Sequence, residues 1–225
     1  MATFTQLTNG YAFANPTDSA SITPETAAIV ALWTYNQTGA PSVSGCSLTW
    51  TLLGSVQFDA GNTYDLHVFK GVGTATTGAL TFSGGGGEAF AWSVFSLSGT
   101  VNAASPVIMT NIVTNSGSGT TVSASLGAFE DAANDTVTCL AAAAGGGVTP
   151  KGGWTELIEH AGMFGGEKMQ TQYIGSNDAS PTAELGLTAL WGVVAFEIDE
   201  AAGGASPSFN PAWARGSNQI IGAWQ

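Results

Sequence analysis

The stretch from Trp50 to Gly99 returns in looser form toward the other end of the chain, and such a chain folds as two related units. Trp50-Thr51-Leu52-Leu53 is answered by Trp154-Thr155-Glu156-Leu157. Tyr64-Asp65-Leu66-His67-Val68-Phe69-Lys70-Gly71 is answered by Met169-Gln170-Thr171-Gln172-Tyr173-Ile174-Gly175. The closing Ala91-Trp92-Ser93-Val94-Phe95-Ser96-Leu97 is answered by Leu190-Trp191-Gly192-Val193-Val194-Ala195-Phe196-Glu197-Ile198. Trp50 and Trp154 are 104 residues apart, as are Phe69 and Tyr173, whereas Trp92 and Trp191 are 99 apart. The pattern reads as a decayed two-fold repeat of a several-stranded β unit, with a shortened loop in the second copy.

Between these landmarks the chain alternates short apolar runs with Gly, Pro, Asn and Asp clusters, and no amphipathic helix of ten or more residues shows. Strands are expected at 28–35, 47–58, 64–70, 79–83, 88–98, 106–114, 120–126, 136–143, 154–160, 167–175, 182–188 and 190–198. A hairpin loop is expected at 115–119, and Gly84 to Gly87 is a turn. The expected fold is all-β, an antiparallel jelly-roll β-sandwich, with the two halves as Greek-key units closing one barrel. Residues 1–27 form an N-terminal arm or edge strand, 28–199 the sandwich, and 200–225 a linker with an apolar arm.

Charge narrows the function classes. The 225 residues are 44% apolar but only 9% charged, and the net charge is −12. Only Lys70, Lys151, Lys168 and Arg215 are positive, so phosphate neutralisation is not available and nucleic acid is not expected as a partner. An anionic membrane surface is disfavoured on the same ground, and no apolar run approaches the ~20 residues that span a bilayer. The first residues show no basic region followed by an apolar core, so synthesis in a cytoplasm without a standard export signal is expected. The polar remainder is Thr, Ser, Asn, Gln and Gly, which suits neutral strand faces packed among other subunits.

Candidate chemistry is sparse. His67 and His160 are the two histidines, no Gly-x-Ser-x-Gly elbow accompanies them, and both read as structural. Asp59, Asn62 and Asp65 on one loop, and Glu130, Asp131, Asn134 and Asp135 on another, are oxygen-rich groups of the kind that holds Ca²⁺, although turn chemistry accounts for them equally. Glu156 and Glu159, with Glu197 and Asp199, are the carboxylates a glycosidase would pair. Strand alternation makes them ordinary surface residues. Cys46 and Cys139 are too few for a disulfide framework or zinc site; a single bridge between them is open, but each sits in an apolar run suited to a buried thiol. No catalytic residue, metal or cofactor is expected.

After Ile198 a Gly/Ala/Ser/Pro linker leads to Phe209, Trp213, Ile220, Ile221 and Trp224. That tail is too small for its own core, so its apolar residues are expected to bury on its own sandwich or on a neighbouring subunit.

Gly152-Gly153-Trp154-Thr155-Glu156-Leu157, the Gln-x-Tyr strand after it and Trp191 to Ile198 resemble β-sandwich virion proteins of tailed bacteriophages and prophages. In that group a G-x-T-W segment, a strand ending in a Tyr/Phe-x-Gly step and a Trp-to-Glu-Ile closing strand recur. The first half carries the same order in Leu48-Thr49-Trp50 and Ala91 to Gly99, so the resemblance spans roughly 28 to 199 and leaves the tail uncovered. It implies a non-enzymatic head decoration or cement protein on the outer surface of the capsid. Its partners would be the major capsid protein and copies of itself, with trimers as one familiar arrangement. The alternative is a tail or fibre carbohydrate-binding module that recognises a host glycan. Weaker rivals are a surface lectin-like domain and an esterase or glycosidase.

Overall fold

The computed structural model describes residues 2–25, 27–36, 39–59, 61, 63–84, 89–99, 109–144, 146–161 and 166–199. In the first half the strands are β1 (Ala2–Ala12), β2 (Thr17–Asp18), β3 (Ala27–Tyr35), β4 (Pro41–Gly45), β5 (Thr49–Gln57), β6 (Tyr64–Val72), β7 (Leu80–Gly84) and β8 (Ala89–Gly99). The second half contains β9 (Met109–Ser123), β10 (Asp135–Ala142), β11 (Val148–Pro150), β12 (Thr155–Ala161), β13 (Lys168–Ile174) and β14 (Thr182–Ile198). All pairing is antiparallel. The chain is an all-β sandwich.

The repeat is visible in the strand order. One sheet runs β1-β8-β3-β6-β5, and the other runs β9-β14-β10-β13-β12, position for position the same. The two sheets face each other across a shared core that holds Trp33, Leu66, Phe95 and Leu97 from the first half and Met109, Val194, Phe196 and Ile198 from the second. Edge strand β1 lies against β12, and edge strand β5 against β9, so each half presents its first strand to the other's fifth. This is the self-complementary geometry of a two-fold dimer, built here within one chain.

Each half also covers the outer face of its own sheet. In the first, the small sheet β2-β7-β4 packs Val43, Leu80 and Phe82 on Val30, Leu32, Phe69 and Trp92. In the second, β11 and the facing ends of β9 and β14 pack Val122, Val148, Ala183 and Leu185 on Leu140, Trp191 and Val193. With both faces covered, β3 is apolar for most of its length and β10, which includes Asp135, Thr136 and Thr138, is buried at every residue. Two outer cores and one shared core therefore replace the single closed barrel expected from sequence.

Of the two forms expected for the first 27 residues, an edge strand is present, β1, paired along its length with β8. Two expectations change in detail. The loop expected at 115–119 is strand, because β9 runs through it unbroken to Ser123. Partner β14 is likewise one strand across 182–198, and the irregularity falls in the register, which jumps from Glu184–Thr121 to Ala189–Gly119. Gly119 takes the left-handed φ of +137° that this step needs. At the equivalent places the first half breaks β1 from β2 and β7 from β8. Finally, Phe69 and Tyr173 are not equivalent. Leu53 and Leu157 are the extra residues of matching bulges, and the pair before each bulge is Leu52–Phe69 in one half and Glu156–Gln172 in the other. Phe69 thus matches Gln172, and Tyr173, one residue on, turns to the shared core, where its ring stacks on Phe4 at 4.1 Å.

Candidate functional site

Exposed surface offers more than any cleft. Edge strands β1, β5 and β9 contain no Asp, Glu, Lys, Arg or Pro, although edge strands of soluble proteins are commonly guarded by charge. Their exposed residues are mostly Thr, Ser, Asn and Gln. On β1 and β5 the guard is geometric, a bulge against the inner strand at Leu7 and at Leu53, and the remaining edge, β12, carries both a bulge at Leu157 and the charges of Glu156 and Glu159.

At the far end of β1 two large aromatic rings stand in solvent. Tyr11 is 52% exposed and Phe13 58% exposed, their ring centroids are 6.0 Å apart in an edge-to-face arrangement, and the Tyr11 ring lies 6.0 Å from that of His160 on β12. The platform is held from below. Tyr11 pairs with Ala91 on β8, and Gly10 beside it lies so close under Trp92 that a Cβ there would sit 2.6 Å from the indole. Beyond Phe13, the Asn15 side chain donates to the Gly84 carbonyl and accepts from the Gly84 N–H (3.3 Å), which ties the turn to β7.

The candidate groups named from sequence are scattered. Phe209, Trp213, Ile220, Ile221 and Trp224 lie outside the described residues, as does Asn62. His67 is an interior side chain of β6, its Nε2 3.4 Å from Thr34 Oγ1, and burial lowers its pKa to about 4, so the ring is neutral at ordinary pH. Asp59 closes a turn. Burial would raise its pKa, but hydrogen bonds from the backbone N–H groups of Tyr64 (3.1 Å) and Thr63 (2.8 Å) hold it below the usual carboxylate range. Asp65 moves the other way, raised by burial and then by the Asp59 charge.

In the other acidic loop some of the carboxylate oxygens already accept from backbone N–H groups. Asp131 Oδ1 accepts from Ala133 N at 2.9 Å, and Asp135 Oδ2 from Ala2 N at 3.1 Å. Glu197 is fully buried and latches this loop by accepting from Glu130 N (3.0 Å), Asn134 Nδ2 and Asn111 Nδ2 (3.4 Å). Glu159 accepts from Val148 N at 2.9 Å and pairs with Lys168 at 2.9 Å, while Glu156 accepts from Gln170 Nε2 at 3.1 Å. Among the described residues no group of three or more His, Cys, Asp or Glu is arranged to hold a metal ion. Both cysteines are free thiols, Cys46 in the first outer core and Cys139 in the shared core, where burial pushes its pKa up to about 12.

One feature escaped the sequence reading. The second outer core contains a row of buried polar side chains, Thr138, Gln170 and Gln172, and Thr138 and Gln172 border a small indentation lined also by Val122, Leu140, Pro181, Thr182, Ala183 and Val193. Gln170 Nε2 donates to Val148 O (3.0 Å) and Gln172 Nε2 to Thr182 O (3.3 Å), whereas Thr138 Oγ1 and both amide oxygens have no hydrogen-bond partner among the described residues. Strand alternation alone reads these residues as a solvent face, which is why they went unnoticed. The covering by β11 and the start of β14 comes from residues distant in sequence. Comparison with protein-family models, with curated proteins and with solved structures gives no match.

Proposed function

We propose that this chain is a non-enzymatic structural protein of a bacteriophage virion, a decoration or cement protein that binds the capsid exterior and stabilises the shell. The observation that carries the reading is the run of long, uncharged, hydroxyl-rich edge strands β1, β5 and β9 on a protein of net charge −12. Such edges suit a subunit that works packed against other protein, and the acidic balance keeps it off packaged DNA. The titratable groups support the same view, because His67, Glu159 and Glu197 are each engaged in holding the fold. In the first half the strand order, β1-β8-β3-β6-β5 in one sheet and β2-β7-β4 in the other, is in keeping with a jelly roll. The arm after Glu200 would clasp a neighbouring subunit.

The test is quantitative mass spectrometry of purified particles of the source virus. A copy number comparable with that of the shell protein is expected, and absence from the particle would overturn the reading. A handful of copies would move the protein to the tail or a fibre. That placement suits the second reading, a glycan-binding module, which the exposed Tyr11–Phe13 platform favours because pyranose rings stack on aromatic faces.

A further inference from the structure

We infer that the cover of the second outer core, residues 147–150 with 121–126 and 179–186, opens as a unit while the rest of the sandwich stays closed. The inference is independent of the assembly reading above. It makes this cover a two-state element whose open form presents the Thr138, Gln170 and Gln172 side chains to water.

The cover rests on a polar floor. Gln170 Nε2 donates to Val148 O at 3.0 Å and Gln172 Nε2 to Thr182 O at 3.3 Å, while Glu159 accepts from Val148 N at 2.9 Å. Water replaces bonds of this kind when the cover lifts, so they add little to the cost of opening. With the cover down, Thr138 Oγ1 and the amide oxygens of Gln170 and Gln172 are buried without a hydrogen-bond partner among the described residues. Hydration of these three oxygens favours the open form.

The first outer core also holds unpartnered atoms, His67 Nδ1 and Ser96 Oγ, yet its cover is gripped by large apolar groups. Leu80 and Phe82 are fully buried there, and the Phe82 ring lies 5.0 Å from that of Trp92. Val30 and Phe69 lie beneath the first cover where the second has Thr138 and Gln172, so lifting the second exposes less apolar surface. The ladder that joins the second cover to its sheet is interrupted as well. It jumps from Glu184–Thr121 to Ala189–Gly119, which leaves 185–188 without partners on β9. That break lets the cover move without separating pairs in the sheet below, as a locally opening unit requires.

Native-state hydrogen exchange of the full chain, read residue by residue by NMR, tests this. The N–H groups of Gly186, Ala124 and Leu126 report the second cover, through their bonds to the carbonyls of Gly147, Pro181 and Ala179. Those of Ser19 and Ile22, bonded to the carbonyls of Leu80 and Gly78, report the first cover, and that of Leu140 reports the central strand β10. The second cover should exchange on the order of a hundredfold faster than the first, at rates nearly independent of low urea, because a limited opening exposes little surface. Ile29 is fully buried in the shared core. Ile29→Val should speed exchange at Leu140 about fivefold and leave the second cover unchanged, since the shared core stays packed in the open form. Thr138→Val should slow the second cover about fivefold, because no hydroxyl is then released to water on opening. Equal protection of the two covers, or second-cover rates that follow Leu140 in Ile29→Val, would overturn the separate opening. Second-cover rates unmoved by Thr138→Val would overturn the part given to the polar floor.

Discussion

The two outer cores are built on the same strand pairs but filled differently. In the first half Val30 faces Phe69 and Leu32 faces His67, while in the second Thr138 faces Gln172 and Leu140 faces Gln170. Phe69 packs with Leu80, Phe82 and Trp92, whereas the matching place in the second half is a small indentation with unpartnered oxygens. Tryptophan placement differs too. Trp92 lies opposite Leu32, but Trp191 lies opposite Ala142, one pleat along from the matching Leu140. Yet each indole sits over a glycine on the neighbouring edge strand, Gly10 or Gly117, where an added Cβ would come within 2.6 or 2.7 Å of the ring. The repeat has kept the pair of ring and glycine and let its position slide, because a shift of two residues preserves the face. Both outer cores hold buried polar side chains, His67 and Ser96 in the first and Thr138, Gln170 and Gln172 in the second, but only the first fills the place of Gln172 with a ring, Phe69.

The sharpest way to test whether the halves are one unit is at the core they share. Trp33 is fully buried there, 6.2 Å from the Phe58 ring and 5.6 Å from that of Tyr64. Trp33→Ala should cost about 4 kcal/mol in urea unfolding. Both halves should still unfold in one transition, and two separated transitions would show that they are independent.

Exchanging the character of the outer cores comes next. Phe69→Gln puts the second half's residue into the first outer core and should cost about 3 kcal/mol, as a polar amide replaces a packed ring. A loss under about 1 kcal/mol would mean that the first core tolerates polarity as the second does.

His67 gives a pH-dependent contrast, since its counterpart Gln170 does not titrate. The folded-state pKa is lowered from 6.5 to about 4. The unfolded chain therefore binds the proton first, so the stability from this group is present above pH 6.5 and drains away between pH 6.5 and 4. The loss is about 3 kcal/mol, and a His67→Met variant should lose that much less than wild type over the same range. Equal slopes for the two proteins would refute the neutral buried assignment.

Smaller effects are expected at the glycines and in the second core. Gly10→Ala and Gly117→Ala should each cost about 2 kcal/mol by forcing an indole aside, and Trp92→Leu or Trp191→Leu in the same chain should recover part of the loss. Thr138→Val, which removes an unpartnered hydroxyl without changing shape, should gain up to about 1 kcal/mol. A loss of that size would show that the hydroxyl is bonded in solution.

Much of this was readable in the residues. The tryptophan spacing marked matching strand starts, because Trp50 and Trp154 do open equivalent strands ahead of equivalent bulges. The runs at 28–35 and 136–143 became the two central strands, since a strand covered on both faces carries apolar residues on both. His67 was legible as structural from its position between Leu66 and Val68. The Tyr11–Phe13 platform was not legible, because an edge strand and a buried strand can carry the same aromatic pattern until its neighbours are known. The second outer core was hidden for the same reason.

By itself, then, the sequence determined the strand class, the alternation of faces and the presence of two related halves, all of which follow from local period-two patterning and turn residues. Tertiary structure decided that Phe69 answers to Gln172, that β9 and β14 run through where β1 and β7 stop, and that the halves share a core. Those outcomes depend on register between strands far apart in the chain. A slip of one residue there sends a side chain to the opposite face without altering any local preference.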